Sequence, residues 1–499
     1  MRLQTCIVVL VVGLLGANAE FNDLQDFVRV AGSLSPNDSV ANYFNGSVYY
    51  KQIGSQMQKI FNFEGFNSNR KLPQTDGTFL SLSREFVVYR DPITSHILQV
   101  WINPLSGNAN EVFYVANDPV NGVFDSAPDN FKIPQGRAAY RVYNSDIVLE
   151  YPNALQPDKY PKYSAGPIYD SVELFGFFGN VTELETTQNN MVSMAGTWMR
   201  KSEFLPWMEL GTTPGSLFYS ALVWKCMHGL SCVADDIMAI VKSQYPKYQE
   251  APTVEEVPNE TSWTVFKKII DARRQAGLPD IIIPQVNTSS NLRDMTYTVD
   301  NEVLNILYRW PLYVRFNGTA QSEITGKQAV PLFDVRGNIG VDVDPLPTGD
   351  GYRVQLDGSL FLLNHTTHQP LNRFNNPITG ESLPVKYIQD VGIDMVFSKD
   401  SFYSINMPET YAVGLIGAQS MDDGQSWSVN LLNLLFPYQE LARNTTGNFY
   451  GTFSTFSSWP TWMNMSSIQG NLVQKLTITT GSFQSQPETD FVPIIAGYK

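Results

Sequence analysis

Apolar residues alternate with polar or small residues along much of this chain. The alternation is clear over residues 354–362 and again over residues 98–102 around Trp101. A period of two is typical of strands that bury one face. Turn sequences such as Asp91-Pro92 and Asn376-Pro377 separate these segments. The pattern therefore predicts a chain made mostly of antiparallel strands.

Helical spacing occurs in only a few places. Ile237, Ile240 and Val241 follow an acidic pair, and a second amphipathic segment around Phe266 ends in two arginines and Gly277. We therefore predict a mostly β fold with few short helices, built from antiparallel β-barrel or β-sandwich-like units.

The chain contains an internal repeat. Phe44-Asn45-Gly46-Ser47 recurs as Phe316-Asn317-Gly318-Thr319. Further matches in the same order join Phe61 to Phe333, Gly65 to Gly337, Asn103-Pro104 to Asn376-Pro377 and Trp207-Met208 to Trp462-Met463. Such colinear matches predict two tandem β units related by duplication. We place the first unit at residues 20–280 and the second, diverged unit at residues 281–499.

The N-terminus has the features of a signal peptide. Arg2 precedes an apolar run over residues 7–15, and Ala17-Asn18-Ala19 fits the cleavage pattern. Residues 1–19 are therefore predicted to be removed, and the protein is predicted to be secreted and extracellular. No later apolar stretch of the sequence is long enough to span a bilayer, so we expect no membrane anchor.

Charge and sequons refine this picture. The formal net charge of −14 argues against nucleic acid as a partner. Asn-x-Ser/Thr sequons predict N-glycosylation, and a further sequon at Asn464 is set aside because it lies in an aromatic stretch. The predicted glycosylation sites are Asn37, Asn45, Asn180, Asn259, Asn287, Asn317, Asn364 and Asn444. The sequence contains no signal for an oligomeric state.

Two cysteines remain after Cys6 leaves with the signal peptide. Cys226 and Cys232 flank a short loop with a glycine, which in an oxidising compartment predicts one local disulfide. A zinc site that adds His228 to these thiols would lack a fourth ligand. We therefore predict the disulfide and no metal.

Several segments of the first unit resemble a known family. They are Phe61–Asn67, Ser83–Pro92, Val115–Asn121, Gly196–Gly211 and Asn259–Lys268. Together they resemble a domain-of-unknown-function family found chiefly in bacterial exported proteins, over residues from about 40 to 275. The resemblance implies domain limits and export. It implies no reaction, because the family has no established catalytic residues.

The candidate chemistry lies in acids and arginines near aromatic residues. Only four histidines occur, and we find no phosphate-binding glycine loop, dinucleotide fingerprint or metalloprotease helix, so we expect no cofactor. The candidate catalytic residues are Glu209, Glu85 and Arg84. The candidate ligand-binding residues are Trp101, Trp198, Trp207, Glu64 and Arg200. Equivalent positions in the second unit are mostly neutral, so any activity is expected in the first.

Three functions fit these observations. The first is a protein that binds or converts a lipophilic small molecule, because tryptophans and a few inward charges suit such a ligand. The second is a structural or coat glycoprotein without a ligand. The third is a carbohydrate-binding or glycoside-hydrolysing protein, because tryptophans stack on sugars and paired carboxylates hydrolyse them. Whether the chain is an enzyme stays open at this point.

Overall fold

Strands dominate the computed structural model of this protein, which confirms the predicted mostly β fold with few helices. Nearly all of the strands belong to two nine-stranded antiparallel sheets. The structure describes residues 23–52, 55–135, 138–186, 188–254, 261–284, 307, 311–385, 393–398, 401–421, 426–442 and 446–484.

The first sheet is formed by the N-terminal half of the described chain. The strands of this half are β1 (Val40–Lys51), β2 (Gln58–Pro73), β3 (Phe79–Arg90), β4 (Val100–Ile102), β5 (Ala109–Glu111), β6 (Val115–Phe124), β7 (Asp129–Gln135), β8 (Ala138–Pro152), β9 (Ile168–Asn180), β10 (Met194–Ser202) and β11 (Ser216–Cys226). Strands β4 and β5 pair with each other, and the other nine have the order β6-β3-β2-β1-β11-β10-β9-β8-β7.

The second sheet is formed by the C-terminal half. Its strands are β12 (Leu312–Glu323), β13 (Pro331–Pro345), β14 (Gly351–Leu363), β15 (Arg373–Asn375), β16 (Ser382–Pro384), β17 (Ile393–Ser398), β18 (Phe402–Met407), β19 (Thr410–Met421), β20 (Ser426–Pro437), β21 (Thr446–Ser457) and β22 (Asn471–Gln484). Strands β15 and β16 pair with each other, and the order of the rest is β17-β14-β13-β12-β22-β21-β20-β19-β18.

The two sheets have the same strand order. Phe61 lies in β2 and Phe333 in β13, the second strand of each half. The repeated Trp-Met pairs both lie in 3₁₀ turns, which end at Glu209 and Asn464 with left-handed φ angles of 54° and 52°. This correspondence agrees with a duplication, and the boundaries at residues 20–280 and 281–499 stay predictions.

Short helices cover parts of the sheets. They are α1 (Asp23–Ala31), α2 (Val181–Leu184), α3 (Asp235–Gln244), α4 (Ser262–Gln275) and α5 (Tyr438–Leu441). Both predicted helical segments are present, as α3 and α4. The hydroxyl of Thr261 accepts a hydrogen bond from the Thr264 amide and caps α4, whose last turn contains Arg273 and Arg274.

The first sheet curls into a nearly closed barrel. Strands β2 and β10 are not neighbours in the strand order. Even so, the rings of Phe63 and Trp198 lie 5.5 Å apart between them. Aromatic residues around Trp207 and Trp263 fill one end of the barrel, and α1 packs near the other through Phe27 and Val30. The barrel therefore has a lined interior with covered ends.

The two sheets pack against each other through their outer faces. Val172, Met199 and Phe218 from the first sheet share an apolar cluster with residues such as Val429 and Phe456 from the second. At this interface the hydroxyls of Thr197 and Thr452 are hydrogen-bonded at 3.0 Å. The ammonium of Lys201 also reaches a carboxylate oxygen of Glu323 at 2.6 Å. We call this contact the inter-sheet face.

Two further features bear on the predictions from sequence. The disulfide between Cys226 and Cys232 is present and closes the loop that follows β11. In the described part of the chain, the helices are all too short or too polar to cross a membrane.

Candidate ligand-binding site in the first barrel

Strands β9 and β10 place opposite charges side by side inside the first barrel. Glu173 lies directly across from Arg200 in their antiparallel register. The guanidinium nitrogen Nη1 of Arg200 lies 3.2 Å from Oε1 of Glu173. Alternation along a strand sends every second side chain to the same face, so Ser171 and Trp198 share the interior with this pair.

Each of the three guanidinium nitrogens of Arg200 has a hydrogen-bond or ion-pair partner. Besides the contact with Glu173, Nε donates to Oγ of Ser171 at 3.0 Å, and Nη2 donates to the hydroxyl of Tyr169. The guanidinium also lies 5.7 Å from the ring centre of Tyr219. These contacts hold the charge in one position in the barrel.

Trp198 connects this ion pair to the aromatic wall. Its Nε1 donates to Oε2 of Glu173 at 3.4 Å. Its ring packs 6.1 Å from Phe44, 5.5 Å from Phe63 and 5.8 Å from Tyr219. Both oxygens of Glu173 therefore have a partner, and one side of the pair is walled by rings.

Glu85 reaches the same interior from β3. Burial and, to a smaller extent, the nearby Glu173 raise the pKa of its carboxyl, Arg200 opposes both effects, and the pKa that results is about 7. Glu85 has no hydrogen bond among the residues that the structure describes. We define the inner cluster as Glu85, Tyr169, Glu173, Trp198, Arg200 and Tyr219.

The ion pair of the inner cluster is only partly covered. The side chains of Arg200 and Glu173 keep 17% and 14% of their exposure, although both point into the barrel. By contrast, the outward residues Val172, Leu174 and Met199 are at most 3% exposed, because the second sheet covers them. The ion pair is therefore less fully covered than the outer face, whereas Tyr169 and Tyr219 beside it are only 1% and 4% exposed.

A cleft opens at the gap between the sheet edges β6 and β7. It has a volume of about 490 Å³, and its lining includes Phe124 of β6, Ile147 of β8 and Lys475 of the second sheet. Phe175 and Phe177 also line it and follow Glu173 on the inward face of β9. The cleft therefore opens on the inward face of β9, next to the position that Glu173 occupies on that face.

The second sheet has a neutral version of the ion pair. Asn430 and Thr455 occupy the same paired positions on β20 and β21 as Glu173 and Arg200 on β9 and β10. The hydroxyls of Ser428 and Thr455 donate to Oδ1 of Asn430 at 3.0 and 3.1 Å. Hydrogen bonds between small neutral groups therefore satisfy this position without any charge.

All residues of the inner cluster lie within residues 37–270. This segment matches the family described as "Protein of unknown function (DUF1838)". The match confirms the resemblance predicted over residues from about 40 to 275. We call residues 37–270 the DUF1838 segment. No curated protein matches this chain.

Two solved structures show a weak likeness to the whole chain. One is a protein with unknown function from the DUF3598 family of Nostoc punctiforme PCC 73102, at 7% identity over 93% of this chain and 99% of that chain, with a TM-score of 0.21. The other is OccAB4 of Acinetobacter baumannii, at 8% identity over 90% of this chain and 98% of that chain, with a TM-score of 0.14. At these scores neither likeness carries a conclusion.

Three of the predicted site residues lie together in the inner cluster of the DUF1838 segment, namely Glu85, Trp198 and Arg200. Trp101 and Trp207 pack against each other at 5.8 Å near one end of the barrel, where they are 6% and 3% exposed. These two tryptophans belong to the apolar core.

The remaining charged candidates lie in other parts of the DUF1838 segment. Arg84 donates to the backbone carbonyls of Lys247 and Glu250 at 2.7 and 3.1 Å. Glu64 pairs with Arg90 in the buried layer outside the barrel interior. Glu209 ends a 3₁₀ turn and accepts a hydrogen bond from Asn110 at 3.2 Å. These contacts give each residue a structural partner.

Sequence reasoning missed Glu173, Tyr169 and Tyr219. The available signal was the alternation in Ser171-Val172-Glu173-Leu174, which places Glu173 on the face opposite two apolar residues. The register between β9 and β10, which brings Glu173 to Arg200, cannot be read from either strand alone. Among the described residues there is no group of three or more side chains that could hold a metal ion.

The predicted glycosylation sites occupy different environments. Asn37 and Asn317 are exposed, whereas Asn45 is only 7% exposed within β1. Asn180 accepts a hydrogen bond from the Thr182 amide as the N-cap of α2, and Asn364 accepts from two amides in its turn. Asn259, Asn287 and Asn444 lie outside the described residues.

Proposed function

We propose that this chain is a secreted, N-glycosylated protein that binds or converts a lipophilic small molecule, without a tightly bound cofactor, in the interior of its first barrel. The observation that supports the proposal is the inner cluster. It combines partly exposed polar groups with an aromatic wall, which is the composition typical of small-molecule sites.

Energetic reasoning also supports a working site in the first barrel. Burying charges costs free energy even when they are paired, and replacing such a pair with neutral groups is often harmless to stability. The second sheet has that neutral arrangement in Asn430 and Thr455. Retention of Glu173 and Arg200 in the first barrel is therefore better explained by a ligand than by folding alone.

The position of the cluster also distinguishes the three functions. A coat protein without a ligand would be expected to fill its barrel, whereas Arg200 and Glu173 keep part of their exposure. A glycoside-hydrolysing protein would be expected to have an open groove with two facing carboxylates, whereas Glu85 and Glu173 lie inside a barrel. The small-molecule function therefore has the strongest support.

Native mass spectrometry of the secreted protein tests this function directly. The wild-type chain is expected to retain a small molecule, and Trp198→Ala is expected to lose most of it because the aromatic wall is removed. Phe453→Ala is the matched control, since Phe453 lies at the equivalent paired position on β21. Equal retention by both variants, or none by the wild type, would exclude the first barrel as the site.

Conversion of the ligand is favoured by Glu85. A carboxyl with a pKa of about 7 can give or take a proton near neutral pH, which is the property needed for general acid or base catalysis. Incubating the retained molecule with fresh protein and analysing the products tests this. Turnover by the wild type that is lost in Glu85→Gln would identify an enzyme.

A further inference from the structure

Each nitrogen of the Arg200 guanidinium already has a partner inside the protein. The three nitrogens contact Glu173, Ser171 and Tyr169, and the ring of Tyr219 lies beside the guanidinium. These contacts use three of the five N–H groups, and Glu173 neutralises the charge of Arg200. A carboxylate ligand that bound the remaining N–H groups would add a second negative charge beside Glu173 inside the barrel, which is costly.

The charges of the inner cluster also balance without a ligand. Glu173 neutralises Arg200, and the second oxygen of Glu173 accepts from Trp198. The other titratable groups facing this position are Glu85 from β3 and the tyrosines Tyr89, Tyr169 and Tyr219. Burial raises the pKa of each of these tyrosines, so they stay neutral. The site therefore offers no net positive charge.

Glu85 is the polar group of the cluster that is left without a partner. It points into the barrel, is partly exposed there and has no hydrogen bond among the described residues. When it is protonated, its O–H can donate to a ligand oxygen. When it is ionised, it repels a carboxylate and can no longer donate to a carbonyl.

We propose that the first barrel selects uncharged lipophilic ligands with a carbonyl oxygen, such as an ester or ketone, and rejects the corresponding carboxylates. Protonated Glu85 donates to the carbonyl oxygen, and the rings of Trp198 and Phe63 contact the apolar part. This inference rests on the proposed function, because it specifies the ligand of that site.

The experiment uses two fluorescent probes with the same chain, cis-parinaric acid and its methyl ester. Each is titrated into the full-length secreted chain at pH 6 and pH 8.5, and energy transfer from tryptophan to the polyene reports binding. We expect the ester to bind roughly tenfold more tightly than the acid at pH 8.5. We also expect the ester to bind several-fold more weakly at pH 8.5 than at pH 6, because Glu85 ionises.

Variants assign the pH dependence to Glu85. Glu85→Gln keeps an N–H donor that does not titrate, so its ester affinity should be equal at both pH values. Asp357→Asn removes an exposed acid from β14 of the second sheet and should behave as the wild type. Tighter binding of the acid, or an unchanged pH dependence in Glu85→Gln, would overturn the inference while leaving ligand binding intact. Binding of neither probe would overturn the proposed function as well.

Discussion

The protonation of Glu85 inside the first barrel makes the free energy of unfolding depend on pH. Its pKa is raised to about 7, so between pH 4.5 and 7 the unfolded chain releases this proton while the folded chain keeps it. The free energy of unfolding must therefore fall as pH rises through this window. We expect Glu85→Gln to match the wild type at pH 4.5 and to be more stable by about 1–3 kcal/mol above pH 8. Urea unfolding at both pH values measures this, and an equal difference at both would contradict it.

The ion pair between Glu173 and Arg200 gives a second prediction. Glu173→Asn should lower the free energy of unfolding by about 3 kcal/mol, because Arg200 loses its carboxylate inside the barrel. The double variant Glu173→Asn/Arg200→Thr copies the neutral arrangement of the second sheet and should recover most of that loss. Denaturant unfolding of all three chains forms the test. If the double variant is as unstable as the single variant, the instability does not come from leaving the charge of Arg200 unpaired.

Single residues differ in how far the sequence reveals their position. Trp198, Arg200 and Glu85 could be predicted, because charge next to aromatic residues in a strand pattern indicates an inward site. Glu173 could not, because its role depends on strand register. The conformation of Glu209 could not be predicted either, because its left-handed φ of 54° is set by the turn it ends.

Lys225 shows how one side chain fixes a helix against a strand. From the end of β11 its ammonium donates to the backbone carbonyls of Arg29, Gly32 and Val192 at 2.6, 2.8 and 2.9 Å. The first two carbonyls belong to α1 and the residue just after it. The position of α1 near one end of the barrel therefore depends on a lysine almost two hundred positions away in sequence.

Replacement of Lys225 should loosen α1 locally. Lys225→Met leaves three carbonyls without their donor, and each unsatisfied buried group costs about 1–3 kcal/mol. Hydrogen exchange of the amides in residues 23–31 should become at least roughly tenfold faster, while exchange in β1 and β2 changes less. Lys242→Met on the exposed side of α3 serves as the control. Unchanged protection of α1 in Lys225→Met would show that apolar packing alone holds the helix.

At the level of elements, periodicity predicted the strands and two of the helices. The reason is that half-buried strands and amphipathic helices leave their period in the local sequence. Helix α1 was not predicted, because it lies close to the predicted signal peptide and is short. The common strand order of the two sheets follows the colinear repeats, whereas the contact between their outer faces left no local pattern.

We expect the solubility of the first unit as a monomer to depend on the inter-sheet face. Residues 20–280 expressed alone would expose Val172, Leu174, Met199 and Phe218, which the second sheet now covers. Lys201 would also lose Glu323. Large exposed apolar patches drive association, so we expect this fragment to self-associate and to bind a hydrophobic dye. Light scattering after gel filtration measures its state, and a stable monomer without dye binding would contradict the expectation.

The hydrogen bond between Thr197 and Thr452 joins two residues at matching positions of the repeat, since each directly follows a glycine of the matched strand. Contact between matching positions is what a two-fold symmetry axis produces in a homodimer. If the two halves arose by duplication, this contact is what a single-unit ancestor that paired with its own copy across this face would leave. Fusion of the two copies would make the assembly independent of concentration. It would also leave one half free to replace the interior ion pair with neutral groups, as at Asn430 and Thr455.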